Sequence, residues 1–296
     1  MKGISLTNCP LCSCDAEGEY LYSTTSMYVP NPAGISFVLV KCPNCEFVYV
    51  NPRPLTEELA DYYPQDCPNF KSSKITFLDK LVKNVSRTLV GNRVHSVQIG
   101  KLLDVGFGQG DYLLQKEKEG YNCFGVDISQ FATDNLAKLR KSLHLECTTL
   151  AGAKFADSFF DVIHLSHVLE HDPNPLSMIK EVFRIMKKGG RMEIEVPNFG
   201  GLYYKIAGRT AEYFIPQHLG FFTPKTLESL IKLAGFSDYT VSTSFGNNMS
   251  YYILNKLGLQ KSFYNKSVLN QLLGIFVMIP EKLLNLGDVI KVTAYK

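Results

Sequence analysis

The stretch LLDVGFGQGD, residues 102–111, decides the fold. Leu102, Leu103 and Val105 make an apolar run of strand length, Gly106, Gly108 and Gly110 follow at alternate positions, and a helix is predicted over 112–119. Strand, glycine turn and helix in this order open a βαβ unit, because glycine lets the backbone turn sharply and approach a ligand closely. The spacing is GxGxG and not the GxGxxG of a pyrophosphate-binding turn. Asp104 precedes the turn on the strand. A second strand, 123–126, leads to Asp127, 17 residues past Gly110, where an acidic residue can accept both hydroxyls of a ribose.

Outward from this unit, apolar strands at 162–165 and 192–196 alternate with helix-like segments. That alternation predicts an α/β fold, Rossmann-like with a mostly parallel sheet, over residues 97–296. Residues 197–224 read as an irregular, aromatic-rich loop holding His218, and a helix over 227–234 ends at Gly235. Upstream, residues 54–96 read as a helical connector, with a short helix at 56–60. A longer helix over 74–90 carries Ile75, Leu78, Leu81, Val82, Val85 and Leu89 on one face. Residues 1–53 are rich in Cys, Pro, Asn and Gly with one strand at 35–40, which predicts a small ribbon.

Two CxxC knuckles, Cys9 with Cys12 and Cys42 with Cys45, are separated by 29 residues. This is zinc-ribbon spacing with an enlarged hairpin. Four thiolates fill a tetrahedral site and leave no position for water, so the expected Zn2+ is structural. Cys14 competes as a ligand at a less suitable spacing. Cys67, Cys123 and Cys147 stand apart and read as small apolar residues.

The 296 residues, 45% hydrophobic and 20% charged, have ordinary globular composition. A net charge of +3 implies no dedicated polyanion surface. The first residues, MKGISLTNCPLC, hold no signal-length apolar stretch, so a cytoplasmic location is expected. The apolar run at 272–279 is well short of the ~20 residues of a membrane span.

With these residues in view, about residues 60–296 resemble class I S-adenosylmethionine-dependent methyltransferases. DSFFDVI (157–163) resembles the family's fourth strand, SHVLEH (166–171) the helix after it, and KKGGRMEI (187–194) the fifth strand. HLGFFTP (218–224) and the helix ending in Ala-Gly-Phe resemble its late substrate loop and helix. The resemblance implies S-adenosylmethionine as cofactor. The backbone of Gly106, Phe107, Gly108 and Gly110 would face its methionine part, beside Asp104. Asp127 would bind the ribose, Ile128 would cover the adenine, Thr149 and Leu150 would line its edge, and Ser166 with His167 would close the pocket. CPNCEFVYVNPRP (42–54) followed by Tyr62 and Tyr63 is similar to a subgroup with an amino-terminal zinc ribbon, often associated with sugar or polysaccharide tailoring. In that subgroup the two tyrosines approach the cofactor; the other reading is that they pack a linker.

Methyl transfer to a small-molecule or carrier-linked sugar acceptor, to oxygen, is the leading expectation. An RNA methyltransferase gripping RNA with its ribbon is the first alternative, and a non-catalytic cofactor-binding scaffold the second. His218 is the candidate general base, with His167 beside it. His167, Glu170, His171 and His218 also resemble the Glu-x-x-Glu-His and distant His with which ubiquinone-pathway O-methyltransferases and small-RNA methyltransferases gather a divalent ion, except that His stands for the first Glu. A helix over this stretch would put His167, Glu170 and His171 on one side. Packing, base catalysis and metal ligation all remain open for them.

Overall fold

The computed structural model describes residues 3–15, 17–25, 36–55, 99–211, 213–244, 248–259, 269–270, 272–274, 276–277 and 284–296. The helices expected at 56–60 and 74–90, with Tyr62, Tyr63 and Cys67, lie outside these residues.

The chain begins with β1 (Gly3–Ile4), β2 (Glu19–Thr25), β3 (Ser36–Lys41), β4 (Val48–Val50) and β5 (Arg53–Pro54). β1 pairs antiparallel with β5, while β2, β3 and β4 form an antiparallel meander. Cys9 and Cys12 lie between β1 and β2, and Cys42 and Cys45 at the turn from β3 to β4, where Cys42 N–H donates to Phe47 O at 2.8 Å and Glu46 takes up a left-handed φ of 63°.

The βαβ series follows: β6 (Lys101–Val105), α1 (Asp111–Lys118), β7 (Asn122–Asp127), α2 (Gln130–Leu139), β8 (His144–Cys147), β9 (Phe160–Ser166), α3 (Pro175–Ile185) and β10 (Met186–Pro197). Then come α4 (Leu202–Ala207), β11 (Gly220–Phe221), α5 (Pro224–Leu233), β12 (Asp238–Ser244), α6 (Asn248–Lys256) and β13 (Val289–Tyr295). The main sheet runs β12-β13-β10-β9-β6-β7-β8, with β13 antiparallel to both neighbours and the β10-to-β8 run parallel. The Rossmann-like α/β expectation holds. Leu102, Leu103, Val162, Ile163 and Leu165 are fully buried, as central parallel strands covered on both faces require. On α3 the positions Ile179, Val182 and Ile185 follow the three-residue spacing of an inward face; each such side chain contributes about 1.5–3 kcal/mol by burial.

Three local expectations need correction. The segment 166–171 is no helix: Ser166 ends β9, His167 adopts φ 55°, and a single tight turn covers Leu169–His171. Pro173 and Pro175 follow at once, and a residue before proline is driven out of helical backbone. The stretch 197–224 is not wholly irregular, because it contains α4 and β11. α4 forms by burying Tyr203, Tyr204 and Ala207 against an aromatic cluster with Phe37, Phe214 and Phe221. Cys147 is exposed, not packed as an apolar residue.

β11 has the largest consequence for the site. It pairs with β4, so the ribbon meander gains a fourth strand from the late loop. Phe47 meets Phe222 at 4.9 Å between ring centroids, and Cys9, Leu11, Cys42, Phe47 and Tyr49 share one buried cluster with Ile194 and Leu227 of the main domain. Among the described residues no helix is long and apolar enough to cross a membrane.

Candidate functional site

In a parallel sheet, ligands bind beyond the carboxyl ends of the strands where the strand order reverses, here between β6 and β9. The glycine turn leaves β6 at this point. Gly106 and Gly108 have φ of 68° and 52°, left-handed conformations that favour glycine. A Cβ on Gly106 would meet Val168 Cγ2 at 2.4 Å, whereas one on Gly108 would meet nothing within 4 Å. Gly106 is therefore required by packing, and Gly108 leaves bare backbone open to an approaching ligand. Phe107 turns its ring into the core with Leu113 and Leu136, so only its backbone faces that side.

Asp127 ends β7. Its Oδ2 accepts from Gly108 N–H at 2.9 Å and its Oδ1 from Ser129 N–H at 2.8 Å, which ties the acidic group to the glycine turn. Ile128 beside it is 65% exposed, an apolar side chain available to cover a ligand. Leu150 is buried at the end of the β8 loop, and Thr149 Oγ1 accepts from Gly152 N–H at 3.1 Å, shaping the same rim. Asp104 lies beneath the turn. It is buried, and His164 Nδ1 stands 2.8 Å from its Oδ1; burial pushes its carboxyl up while His164 opposes the shift. The His164 ring stacks on Tyr112 at 3.7 Å, and the Tyr112 hydroxyl donates to Glu193 Oε2 at 3.0 Å. Sequence reading missed this chain of contacts. Its one local signal was a histidine inside the apolar run DVIHL (161–165).

Across the order reversal lie the histidines. Ser166 ends β9 in register with Glu195 of β10, and His167 N–H donates to Glu195 O at 2.9 Å. His167 Nδ1 stands 3.2 Å from Glu170 Oε1, so that contact leaves Nε2 unengaged, and the side chain is 45% exposed. Burial opposes charge on His167, but Glu170, with Glu195, outweighs it and raises the pKa above 6.5. Glu170 is 1% exposed, yet the hydrogen bond from His167 and the nearby His171 and His218 overcome burial and hold its carboxyl at about 2. Its Oε2 has no hydrogen-bond partner among the described residues.

His171 and His218 complete the group. The His171 Nδ1 lies 3.0 Å from Gln217 O, so the proton sits there and Nε2 keeps its lone pair, 4.0 Å from Glu170 Oε1. His218 is buried between His171, at 4.8 Å between ring centroids, and Tyr213. One ligand atom each from Glu170, His171 and His218 lies within 4.8 Å of the others. Burial first, then the neighbouring His171, lowers the His218 pKa to about 3. Burial also lowers the His171 pKa below its ordinary 6.5, so both rings favour the neutral form that ligates a metal, and His218 is a weak base.

A stability prediction follows for pH 4.5 to 6.5, above the ordinary range of Glu170. There the unfolded chain protonates His218 while the folded chain does not, so stability falls as pH falls below 6.5. The expected slope is about 1.4 kcal/mol per pH unit for this group. Denaturant unfolding of wild type and His218→Phe at pH 5 and 6.5 measures it. The variant should show a shallower dependence by about that amount, and parallel curves would contradict the assignment.

The cysteines also converge. Cys9 Sγ and Cys45 Sγ are 3.6 Å apart, and Cys12 Sγ and Cys42 Sγ 3.7 Å. Zinc with Zn–S near 2.3 Å needs tetrahedral edges of about 3.8 Å, so the four thiols are spaced for it. Cys14, outside the set of four, brings its Sγ to 3.3 Å from Cys42 Sγ. The two centres are linked: Val50 N–H donates to Leu219 O at 3.0 Å, and Leu219 N–H donates to Glu170 O at 2.8 Å.

A methyltransferase-domain family model matches residues 65–241. A ubiquinone biosynthesis O-methyltransferase of Pseudomonas fluorescens (strain SBW25) is 30% identical over 120 residues, 39% of this chain and 52% of the relative. The chain thus spans about half the length of the curated relatives it matches. A SAM-dependent methyltransferase from Archaeoglobus fulgidus aligns with TM-score 0.50 and 22% identity, covering 73% of this chain and 94% of the other. The Haemonchus contortus phosphoethanolamine N-methyltransferase 2 aligns with TM-score 0.53 and 17% identity, covering 93% of this chain and 67% of the other. At these identities the structural likenesses establish the fold. Glycine turn, sheet order and the matched span together make the chain a member of the class I S-adenosylmethionine-dependent methyltransferase family.

Proposed function

We propose that this chain transfers the methyl group of S-adenosylmethionine to a hydroxyl oxygen of a small-molecule or carrier-linked sugar acceptor. The observation that carries the reading is that two groups stand beyond the carboxyl ends of neighbouring central strands, where the strand order reverses. Gly108 with Asp127 lies on the β6–β7 side and His167 with Glu170 on the β9 side. Asp127 would accept the ribose hydroxyls, the backbone of Gly106, Phe107, Gly108 and Gly110 would face the methionine part, and Ile128 would cover the adenine. Thr149 and Leu150 would bound the adenine edge, and Ser166 with His167 would close the pocket. Tyr62 and Tyr63 are proposed as a cover from the connector. The choice of oxygen is supported by the O-methyltransferase among the relatives, and the sugar class by the ribbon-bearing subgroup that residues 42–54 resemble.

The cofactor supplies the electrophilic methyl on a sulfonium. The chain must hold the acceptor oxygen in line, worth ~7–11 kcal/mol in oriented reactions, and take one proton. Between the two candidate bases, His167 is better suited than His218, because Glu170 engages its Nδ1 and its side chain is exposed, while the His218 pKa is lowered to about 3. The donors of Glu170, His171 and His218 fit a divalent ion, with neutral rings and an unpartnered Glu170 Oε2. Such an ion would lower the pKa of an acceptor hydroxyl. Cys9, Cys12, Cys42 and Cys45 are proposed to hold a structural Zn2+.

Labelled-methyl transfer from S-adenosylmethionine into fractionated extract tests the proposal, with label expected in small molecules or glycans. Label in RNA would favour the ribbon-gripping alternative, and label nowhere would contradict methyl transfer. Only neutral His167 can accept a proton, so turnover should rise with pH through a value above 6.5. His167→Gln should lower turnover about 10²- to 10⁴-fold and remove that rise, with rates compared at saturating S-adenosylmethionine because His167 also closes the pocket. A pH–rate profile unchanged in the variant would exclude His167 as base.

A further inference from the structure

We propose that Cys14 is an oxidation-sensitive fifth thiol of the ribbon centre: peroxide joins it to Cys42 in a disulfide, expels the metal, and loosens the strand that seats Leu219 against Glu170. The proposal rests on the zinc reading above. Four thiolates complete a tetrahedral zinc, so Cys14 has no coordination position of its own. Yet its sulfur is closer to Cys42, at 3.3 Å, than Cys9 and Cys45 are to each other, or Cys12 to Cys42. The backbone enforces this. Ser13 adopts φ 59°, its N–H donates to Cys9 O at 2.9 Å, and Cys9 N–H donates to Cys14 O at 3.1 Å, so the first knuckle folds back and returns Cys14 to the centre. Cys14 is partly exposed, as Cys12 and Cys45 are, but those two are committed to the metal and Cys42 is buried, so Cys14 is the uncoordinated thiol that a small oxidant reaches.

The chemistry balances with one peroxide. The Cys14 thiol takes one peroxide oxygen to become a sulfenic acid, releasing water. The Cys42 sulfur then leaves the metal and attacks the sulfenyl sulfur, forming the S–S bond and expelling hydroxide. Two sulfurs are oxidised by one electron each, and the peroxide is reduced by two. The metal keeps three thiolates and is more easily lost.

Tyr49 connects this centre to the late loop. Its hydroxyl is buried and has no hydrogen-bond partner among the described residues, and the charges around it are the thiols of Cys9, Cys42, Cys14 and Cys45. Its backbone pairs with Gly220, and the next residue, Val50, donates to Leu219 O. Leu219 in turn donates to the backbone of Glu170. Loss of the metal therefore releases a strand two hydrogen bonds away from the proposed active site.

The test uses the full chain, purified reduced and without chelator, its zinc measured before hydrogen peroxide is added. Metal release is followed with a coloured chelator, disulfides are mapped by mass spectrometry, and hydrogen exchange is read at residues 48–50 and 219–221. Wild type should release its zinc, form the Cys14–Cys42 disulfide, and lose the exchange protection of those amides, reversibly with thiol reductant and zinc. Cys14→Ser, with Cys14→Ala as a second variant, should hold zinc and release it several times more slowly. Release at the wild-type rate in both variants, disulfides confined to the four ligands, or unchanged protection at 219–221 would each overturn the proposal. Absence of zinc before oxidation overturns the zinc reading and this proposal with it; zinc present but lost independently of Cys14 overturns this proposal alone.

Discussion

Stripping the metal from Cys9, Cys12, Cys42 and Cys45 is expected to unfold the ribbon strands β1 to β5 as a unit. Structural zinc supplies about 10–16 kcal/mol to small modules of this kind, more than a three-stranded meander can replace by its own packing. The effect should not stop at the ribbon. β4 is the hydrogen-bonding partner of β11, and Phe47 packs on Phe222, so residues 219–222 lose both their strand partner and an aromatic contact. The main sheet should persist, because β6, β7, β9 and β10 pair with one another. Metal analysis and hydrogen exchange before and after a strong chelator check this. About one zinc per chain is expected, with protection lost at 19–25, 36–41, 48–50 and 219–222 and retained at 101–105 and 160–166. Native protein purified without zinc, or disulfides among the four cysteines, would refute it.

Asp127→Ala is expected to weaken S-adenosylmethionine binding by about 1–3 kcal/mol, roughly 5- to 150-fold. Two contributions add. The carboxylate is the proposed acceptor for the ribose hydroxyls, and it already accepts from the N–H groups of Gly108 and Ser129. Its removal therefore also frees the middle of the glycine turn. Asp127→Asn keeps one acceptor oxygen and should lose less. Calorimetry on the three proteins measures the difference; equal affinities would show that the ribose is held elsewhere.

The glycine turn was legible because the βαβ unit is local: an apolar strand, three glycines and a helix within one short stretch. The knuckles were legible for the same reason. What failed was of two kinds. In SHVLEH (166–171) the three-and-four spacing fitted a helix, but it equally fits a single tight turn, and Pro173 and Pro175 were the overlooked signal. VIKVTAY (289–295) alternates inward Ile290, Val292 and Ala294 with outward residues, a strand signature that was passed over. The pairing of Tyr49 with Gly220 could not have been read at all, since a strand's local pattern does not name its partner. For the same reason nothing near His218 announced that its ring would be buried beside His171 with its basicity lowered. The candidate site residues are read from type and spacing, whereas their protonation depends on contacts made across the fold.

The central claim, that the crevice beyond the carboxyl ends of β6 and β9 holds S-adenosylmethionine for methyl transfer, is tested most directly by calorimetric titration of the full chain with S-adenosylmethionine and S-adenosylhomocysteine. The account predicts saturable binding of both at one site per chain. It predicts loss of both in Gly108→Val, whose side chain would occupy the open space above the turn and strain its φ of 52°. No binding to wild type, or unchanged binding in Gly108→Val, would contradict it.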